Sequence, residues 1–510
     1  MDLAETKPKA VNRIAEVQMK PLFEISSHHL ARDVRHASIL SLVARSTEYL
    51  FQFVGLAILA RLLTPSDFGV FAMATPFVMF IMAFGDLGLG TALLQQRDLT
   101  EGHASAVFWM NLLTGLALAG LFLAVSPLLG SFYDDHRVAE IAAVLSLNFV
   151  FSGITAVQRA LLRRALLFHA LSSAQIAASA LSSVVAIVFA LNGAGYWALT
   201  ARALVDPLTY AIVIWSVAGW VPGRGKWDQI TKSLLQYGTY SVGSILLYSL
   251  GTQADSVLIG WRFGSSVLGP YTLATRLFVL PVSQISAPLG NVMVPALSRL
   301  RDDPDRLRRW YLKLLRLLTF FGFPVTFSLV FCANEVIYIV AGPQWDKAAD
   351  ILRLLAPVGT LQMAYVTTYW LMQSQGHMDR AFRWVAISTA AYLASFVLGL
   401  PWGPSGVATA FTAVNLILFI PTFIYATRGT TIGLIDVLKA MLPSAALMVV
   451  SAGEAYAVTT FFAQDWHPIG RLLATGFAIA MTMACATAAL YGRSFLTLGL
   501  EDLRGGVRLQ

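Results

Sequence analysis

The chain has 510 residues, 57% of them hydrophobic and 13% charged, with a mean hydropathy of +0.66. Soluble domains carry about 25% charged residues, so the composition excludes a soluble globular protein and implies a polytopic membrane protein. The net charge of +8 then reads as basic cytoplasmic loops rather than as a nucleic-acid surface.

Residues 1–36 are polar and mixed in charge, with no apolar core after a short basic start, and are expected to form a cytoplasmic tail and no cleavable signal peptide. Fourteen apolar runs follow, each near the roughly 20 residues that a span needs. They cover 37–60, 68–94, 104–129, 138–158, 168–191, 195–220, 235–261, 268–297, 314–340, 348–373, 383–400, 404–427, 438–462 and 472–492, the run at 383–400 being the shortest. With the N-terminus inside, 27 of the 36 Lys and Arg residues fall in inner segments, five in outer breaks and four within spans. Bases near span ends collect on the cytoplasmic side, so both termini are expected in the cytoplasm. The organisation expected is an N-terminal lobe over 37–220, a linker over 221–234, a C-terminal lobe over 235–427, and two further spans with a cytoplasmic end over 428–510.

An internal echo supports two lobes. Arg61, Gly69, Phe71, Met73, Ala74, Thr75, Leu89 and Gly90 return as Arg262, Gly269, Tyr271, Leu273, Ala274, Thr275, Leu289 and Gly290. Six spans separate each residue from its echo, an even number, so the repeats point the same way and are related by an axis along the membrane normal.

Enzyme signatures are absent. There is no phosphate loop, no Gly-x-Ser-x-Gly elbow and no His-Glu-x-x-His, and the eight histidines show no ligand spacing. No metal site is expected. Cys332 and Cys485 lie in apolar runs and read as small buried hydrophobes.

Charges inside spans are costly and therefore candidates for function. They are Arg45, Glu48, Asp86, Arg202, Asp206, Asp255, Arg276, Glu335, Asp350, Arg353 and Glu454. Arg45 and Glu48 share a helix face at i, i+3, and Arg202 and Asp206, at i, i+4, read as an internal ion pair. Asp350 and Arg353 sit at a span end and read as interfacial. Glu48, Asp86 and Asp255 could take a coupling proton or sodium ion, or lock one state through a salt bridge. Gln52, Gln253, Gln284 and Asn291 could bond sugar hydroxyls or neighbouring helices.

The stretch Ile58–Thr100, "ILARLLTPSDFGVFAMATPFVMFIMAFGDLGLGTALLQQRDLT", resembles the N-terminal signature of the polysaccharide transporter family. These are the Wzx-type flippases of the multidrug/oligosaccharidyl-lipid/polysaccharide exporter superfamily. The stretch from Asp255 to Asp303 is similar to the seventh and eighth spans of that family. The resemblance implies an all-α membrane fold of about 14 helices, with two six-helix lobes in a V and two extra C-terminal helices. It implies a flippase, not an enzyme. The substrate would be an undecaprenyl-pyrophosphate-linked oligosaccharide repeat unit, moved across the bacterial inner membrane by alternating access for colanic acid- or succinoglycan-like exopolysaccharide or for lipopolysaccharide. Membrane lipids and the polymerase and glycosyltransferases of the same pathway would be its partners, the protein itself a monomer without cofactor. In this fold spans one, two, seven and eight line the cavity, which makes Arg45 and Arg276 the expected phosphate contacts, with Gln52 and Gln284 beside them, since guanidinium matches phosphate bidentately. A lipid II flippase and a drug or cation antiporter of the same superfamily are the alternatives; the arginines disfavour the antiporter.

Overall fold

The computed structural model describes residues 47–85, 93, 99–228, 249–462 and 465–491. Hydrocarbon offers no partner to a free backbone N–H or C=O, so an apolar chain closes its hydrogen bonds within helices. Among the described residues all regular structure is helical. In unit 1 the helices are α1 (47–62), α2 (Pro65–Gly85), α3 (Glu101–Tyr133), α4 (His136–Leu145), α5 (Leu147–Arg164), α6 (Phe168–Leu191), α7 (Tyr196–Ala218) and α8 (249–263). Then come α9 (Ser265–Ser298), α10 (Pro304–Val340), α11 (Asp346–Ser374), α12 (Met378–Gly399), α13 (Gly403–Thr427), α14 (Leu434–Ala457) and α15 (Pro468–Tyr491). Nine stretches among the described residues are long and apolar enough to cross a membrane, and a tenth, in α9, bends by 46°.

Each apolar run contains helix where it is described, with two refinements. The run 138–158 is two helices, α4 and α5, meeting at Ser146, whose hydroxyl donates to Ala143 O at 2.6 Å instead of serving as a cap. The short run 383–400 belongs to a 22-residue helix, α12. The tail 1–36, residues 37–46 and 229–248 lie outside the described residues.

Contacts divide the chain into Met1–Gly269 and Pro270–Gln510. The division falls inside α9, because α8 and the first turn of α9 pack within unit 1. Gly260 of α8 fits against Met73 and Tyr133, and the rings of Phe132 and Trp261 stack with their centroids 6.3 Å apart. The segment 220–228, in turn, is strapped along α3. Gly223 N–H donates to Ser105 Oγ at 3.0 Å, Trp109 Nε1 to Gly223 O at 3.0 Å, and Lys226 N–H to Gly102 O at 2.8 Å. Buried His103 sits 2.8 Å from Asp228, which Lys226 also meets at 3.2 Å.

Small residues set the helix spacing in unit 1, as is usual where lipid supplies no hydrophobic drive between helices. Along α6, Ala170, Ala174, Ala178, Ser182, Ala186 and Ala190 recur every four residues and all are buried. Gly115 of α3 and Gly153 of α5 each press on the other helix, so that an added Cβ would come within 2.6 Å of Phe149 O and of Asn111 O.

The tightest approach joins the two echoes. A Cβ on Gly69 would lie 1.8 Å from Ser265 O, and one on Gly269 would lie 1.9 Å from Pro65 O. Residues 65 and 265 are themselves counterparts in the repeat, so the contact is reciprocal: each glycine receives the backbone four residues ahead of the other. Ser66 and Ser265 add a hydroxyl contact of 3.1 Å. Six residues later Thr75 and Thr275 donate to Phe71 O and Tyr271 O, both at 2.8 Å. The echo in the sequence is thus an echo in packing.

Unit 2 is built on α10. Its core joins Leu307, Tyr311, Leu314, Leu318, Met363, Phe423 and Val437. Hydroxyl pairs pin its neighbours: Tyr311–Thr367 at 3.1 Å and Thr326–Thr360 at 2.9 Å to α11, and Thr319–Ser444 at 2.9 Å to α14. Cys332 is buried, but Cys485 is exposed on α15, where the apolar environment to be satisfied is lipid rather than protein.

The glycine crossing makes a quantitative prediction. Gly69→Ala and Gly269→Ala should each lower stability by about 1–3 kcal/mol, the usual range for overpacking, because backbone and not a flexible side chain must yield. Ser66→Ala, which removes the adjacent hydroxyl and adds no atom, should cost about 1 kcal/mol or less. Thermal unfolding of the purified variants in detergent measures the difference, and equal midpoints for all three would refute the steric account.

Candidate functional site

Four of the residues singled out from the sequence come together in unit 1. The small-residue stripe of α6 lets α7 lie close, and Gly55 leaves room on α1: a Cβ there would meet Ser183 Oγ at 2.9 Å and the Arg202 guanidinium carbon at 3.6 Å. Into that space Arg202 extends from α7 and donates to the backbone oxygen of Gln52 at 3.4 Å. Gln52 donates from Nε2 to Glu48 at 3.0 Å. Asp206, one turn beyond Arg202, accepts from Ser182 of α6 at 3.3 Å. Arg202 and Asp206 attract one another through charge, and each in addition bonds a different helix. The two charges turn to different helices, α1 and α6, and tie both to α7. Spacing on one helix predicted the pair; the small residues on the facing helices offered each charge a nearer partner.

Asp255 on α8 is also in unit 1. It is 7% exposed and accepts the N–H of Ser256 at 2.6 Å. Arg45 and Asp86 lie outside the described residues.

In unit 2, Arg276 is exposed on α9. Its helix face is informative. At 100° per residue, Thr272, Arg276, Val279, Ser283 and Ala287 fall within an arc of about 80°. That face holds one large apolar residue among polar and small ones. A lipid-facing helix looks different: α15 exposes Ile469, Leu473, Phe477 and Met481 at four-residue spacing. A guanidinium at mid-helix is costly in hydrocarbon, and between Thr272 and Ala287 the side of the helix that carries it is mostly small or polar. Gln284 lies about 80° around the helix from Arg276, half-buried, with Nε2 lacking a hydrogen-bond partner.

Sequence reasoning missed two features. At the end of α10 a cleft of about 350 Å³ is lined by Glu335, Tyr338, Asp346, Asp350 and Arg471. Glu335 and Arg471 pair at 3.3 Å, and Asp350 and Arg353 at 3.0 Å, the latter the interfacial pair expected. Glu335 and Arg471 are 136 residues apart, and no local pattern announces them. The His103–Asp228 contact is the second; its one local sign is the Thr100–His103 capping box. Among the described residues no group of three or more His, Cys, Asp or Glu is placed to hold a metal ion.

A profile of the family described as polysaccharide biosynthesis protein matches residues 58–350. The chain belongs to that family. Among curated relatives, the teichuronic acid biosynthesis protein TuaB of Bacillus subtilis is 27% identical, over 66% of this chain and 70% of its own. The succinoglycan biosynthesis transport protein ExoT of Rhizobium meliloti is 26% identical, over 70% and 73%. The lipopolysaccharide biosynthesis protein WzxC of Escherichia coli is 23% identical, over 71% and 75%. In fold the chain is similar to the lipid II flippase MurJ in an inward closed conformation, with a TM-score of 0.71 at 16% identity, covering 89% of this chain and 99% of that one. An inward-facing multidrug MATE transporter is similar at a TM-score of 0.61 and 16% identity, covering 76% and 97%. At such identities the likeness is one of fold. The family member described here is thus an all-α, multi-span membrane protein with a transporter fold, and not an enzyme.

The geometry of Arg202 can be tested by a double-mutant cycle. Arg202→Met should lose about 1–2 kcal/mol through the broken link to α1, and its coupling to Asp206→Asn should stay below about 1 kcal/mol, less than for a contact pair in one network. Unfolding midpoints of the two single variants and the double variant supply the coupling; a value well above that bound would restore the direct pair.

Proposed function

We propose that this family member translocates an undecaprenyl-pyrophosphate-linked oligosaccharide repeat unit across the bacterial inner membrane by alternating access, both termini being cytoplasmic. The names of its relatives, with teichuronic acid, succinoglycan and lipopolysaccharide among their products, support a surface-polysaccharide pathway. The observation that carries the reading is Arg276 on the polar side of α9. A sugar–pyrophosphate headgroup cannot cross hydrocarbon bare, and it needs a wet surface with fixed positive charge while the prenyl chain stays in lipid. A guanidinium gives pyrophosphate two parallel hydrogen bonds. Arg45 is the second phosphate contact in this reading. Gln52 and Gln284 bond sugar hydroxyls, the orphaned Nε2 of Gln284 being a donor in want of an acceptor. Glu48, Asp86 and Asp255 carry proton or sodium coupling.

The lipid II flippase reading shares this chemistry, since lipid II is also a prenyl-pyrophosphate sugar. The fold likeness to MurJ does not favour it, because the curated relatives named above belong to surface polymers. An antiporter of organic cations would want an acidic face where α9 carries Arg276.

Deletion of the gene should abolish the surface polymer without stopping growth, whereas loss of viability would mark a lipid II flippase. Arg276→Ala should lower polymer export at least tenfold at unchanged protein level, from the loss of one charge-assisted hydrogen bond, about 1.5–3 kcal/mol. Arg276→Lys should retain part of it. Polymer quantified against membrane-protein abundance decides, and wild-type export from Arg276→Ala would remove Arg276 from the site.

A further inference from the structure

α10 is 37 residues long, which at 1.5 Å per residue is about 55 Å, far more than the roughly 30 Å of a hydrocarbon core. Leu318–Val340 holds a single charged residue, Glu335, and is itself long enough to span. The first three to four turns, from Pro304, must therefore stand beyond the hydrocarbon. Those turns carry five bases, and the structure sorts them. Arg308 is committed to α14 through Asp436 at 2.6 Å. Arg306, Arg309, Lys313 and Arg316 are all exposed, at spacings of three, four and three residues. At 100° per residue they fall within an arc of about 80°. The opposite side, Leu307, Tyr311, Leu314, Leu315 and Leu318, is buried in the core of unit 2. The four bases thus make a straight stripe about 15 Å long, which starts at the edge of the apolar stretch and runs outward.

We propose that this stripe is a binding face for the headgroups of anionic phospholipids in the leaflet that α10 enters from. Position and charge both select that partner. The headgroup layer adds roughly 5–8 Å to each side of the core, so Arg316 and Lys313 stand at phosphate depth and Arg309 one turn above. Trp310, under the Lys313 ammonium at 5.0 Å from its ring centroid, is the residue type that anchors a helix at this level. Arg306 contributes least, since Asp303, which caps the helix by accepting Arg306 N–H at 3.0 Å, also lies 3.9 Å from its guanidinium. Each base near an anionic surface strengthens binding about fivefold. A topological role for the bases requires their number and side alone, whereas a lipid face also requires their alignment.

The test uses the full chain in nanodiscs of phosphatidylcholine and phosphatidylglycerol in equal parts, with the lipids retained on extraction counted by mass spectrometry. Wild type should retain phosphatidylglycerol preferentially, less so at high salt. Arg309→Gln/Lys313→Gln/Arg316→Gln should lose that preference at least tenfold, and the charge-preserving Arg309→Lys/Lys313→Arg/Arg316→Lys should keep it. Single Arg309→Gln and Arg316→Gln variants give the same sign if the triple variant does not fold. Unchanged retention in the neutralised variants overturns the proposal. So does an equal loss in Arg380→Gln/Arg383→Gln, which would make the effect one of net charge. Displacement of phosphatidylglycerol by inorganic pyrophosphate at low concentration would reassign the stripe to a pyrophosphate ligand. Binding that appears after deletion of residues 1–36, and not before, would mean that the tail covers it.

Discussion

The closest helix approach in unit 1 is a place where two helices touch through their backbones. Gly69 and Gly269 each stand where a single Cβ would overlap a carbonyl oxygen of the other element. Apolar side chains gain little by leaving lipid for one another, so helices in a bilayer associate through close van der Waals packing, and closeness requires small residues. The α6 stripe and the Gly115–Gly153 crossing apply the same rule. Close backbones in turn leave narrow, defined spaces, and it is in one of these, opened by Gly55, that Arg202 reaches α1.

The charges follow from the same constraint. An ion at the centre of a bilayer is tolerated when it finds a partner, water or a ligand. Arg202 and Asp206 find helix partners and thereby become struts. Glu335 finds Arg471 at the mouth of a cleft. Arg276 is exposed on α9, and between Thr272 and Ala287 the residues that share its side of the helix are mostly small or polar.

Much of the architecture was legible beforehand because it is periodic. The apolar runs announce the helices through length alone. The repeat was readable because packing glycines and the Thr75/Thr275 back-bonds recur at a fixed offset. What escaped was set by tertiary choice. Ser146 marks a one-residue break between α4 and α5 inside what remains one candidate span, His136–Arg164. The packing of α8 on α2 and α3, and the strap of residues 220–228 along α3 through His103 and Asp228, have no local signature either, the Thr100–His103 capping box apart. The site was half legible. Composition flagged Glu48, Gln52, Arg202 and Asp206, but their pairing depended on which neighbour offered an acceptor at hydrogen-bond distance, and spacing along one helix cannot supply that.

The repeat also shows where function departs from packing. Between the glycine and the threonine the two copies share Gly, an aromatic, Ala and Thr, while Val70 and Ala72 stand opposite Pro270 and Thr272, and each threonine makes a 2.8 Å bond to the residue four before it. At the next position α2 has Pro76 and α9 has Arg276. A proline there withdraws a backbone donor and loosens its helix; an arginine keeps the helix intact and adds a charge. Symmetric positions that pack must stay alike, because each is the other's neighbour. Pro76 is buried and Arg276 exposed, so the two positions meet different surroundings, and a ligand with a charged end and a neutral end has no two-fold symmetry to match. Under the proposed function, the difference between 76 and 276 is where one copy of the repeat, and not the other, would meet an asymmetric ligand.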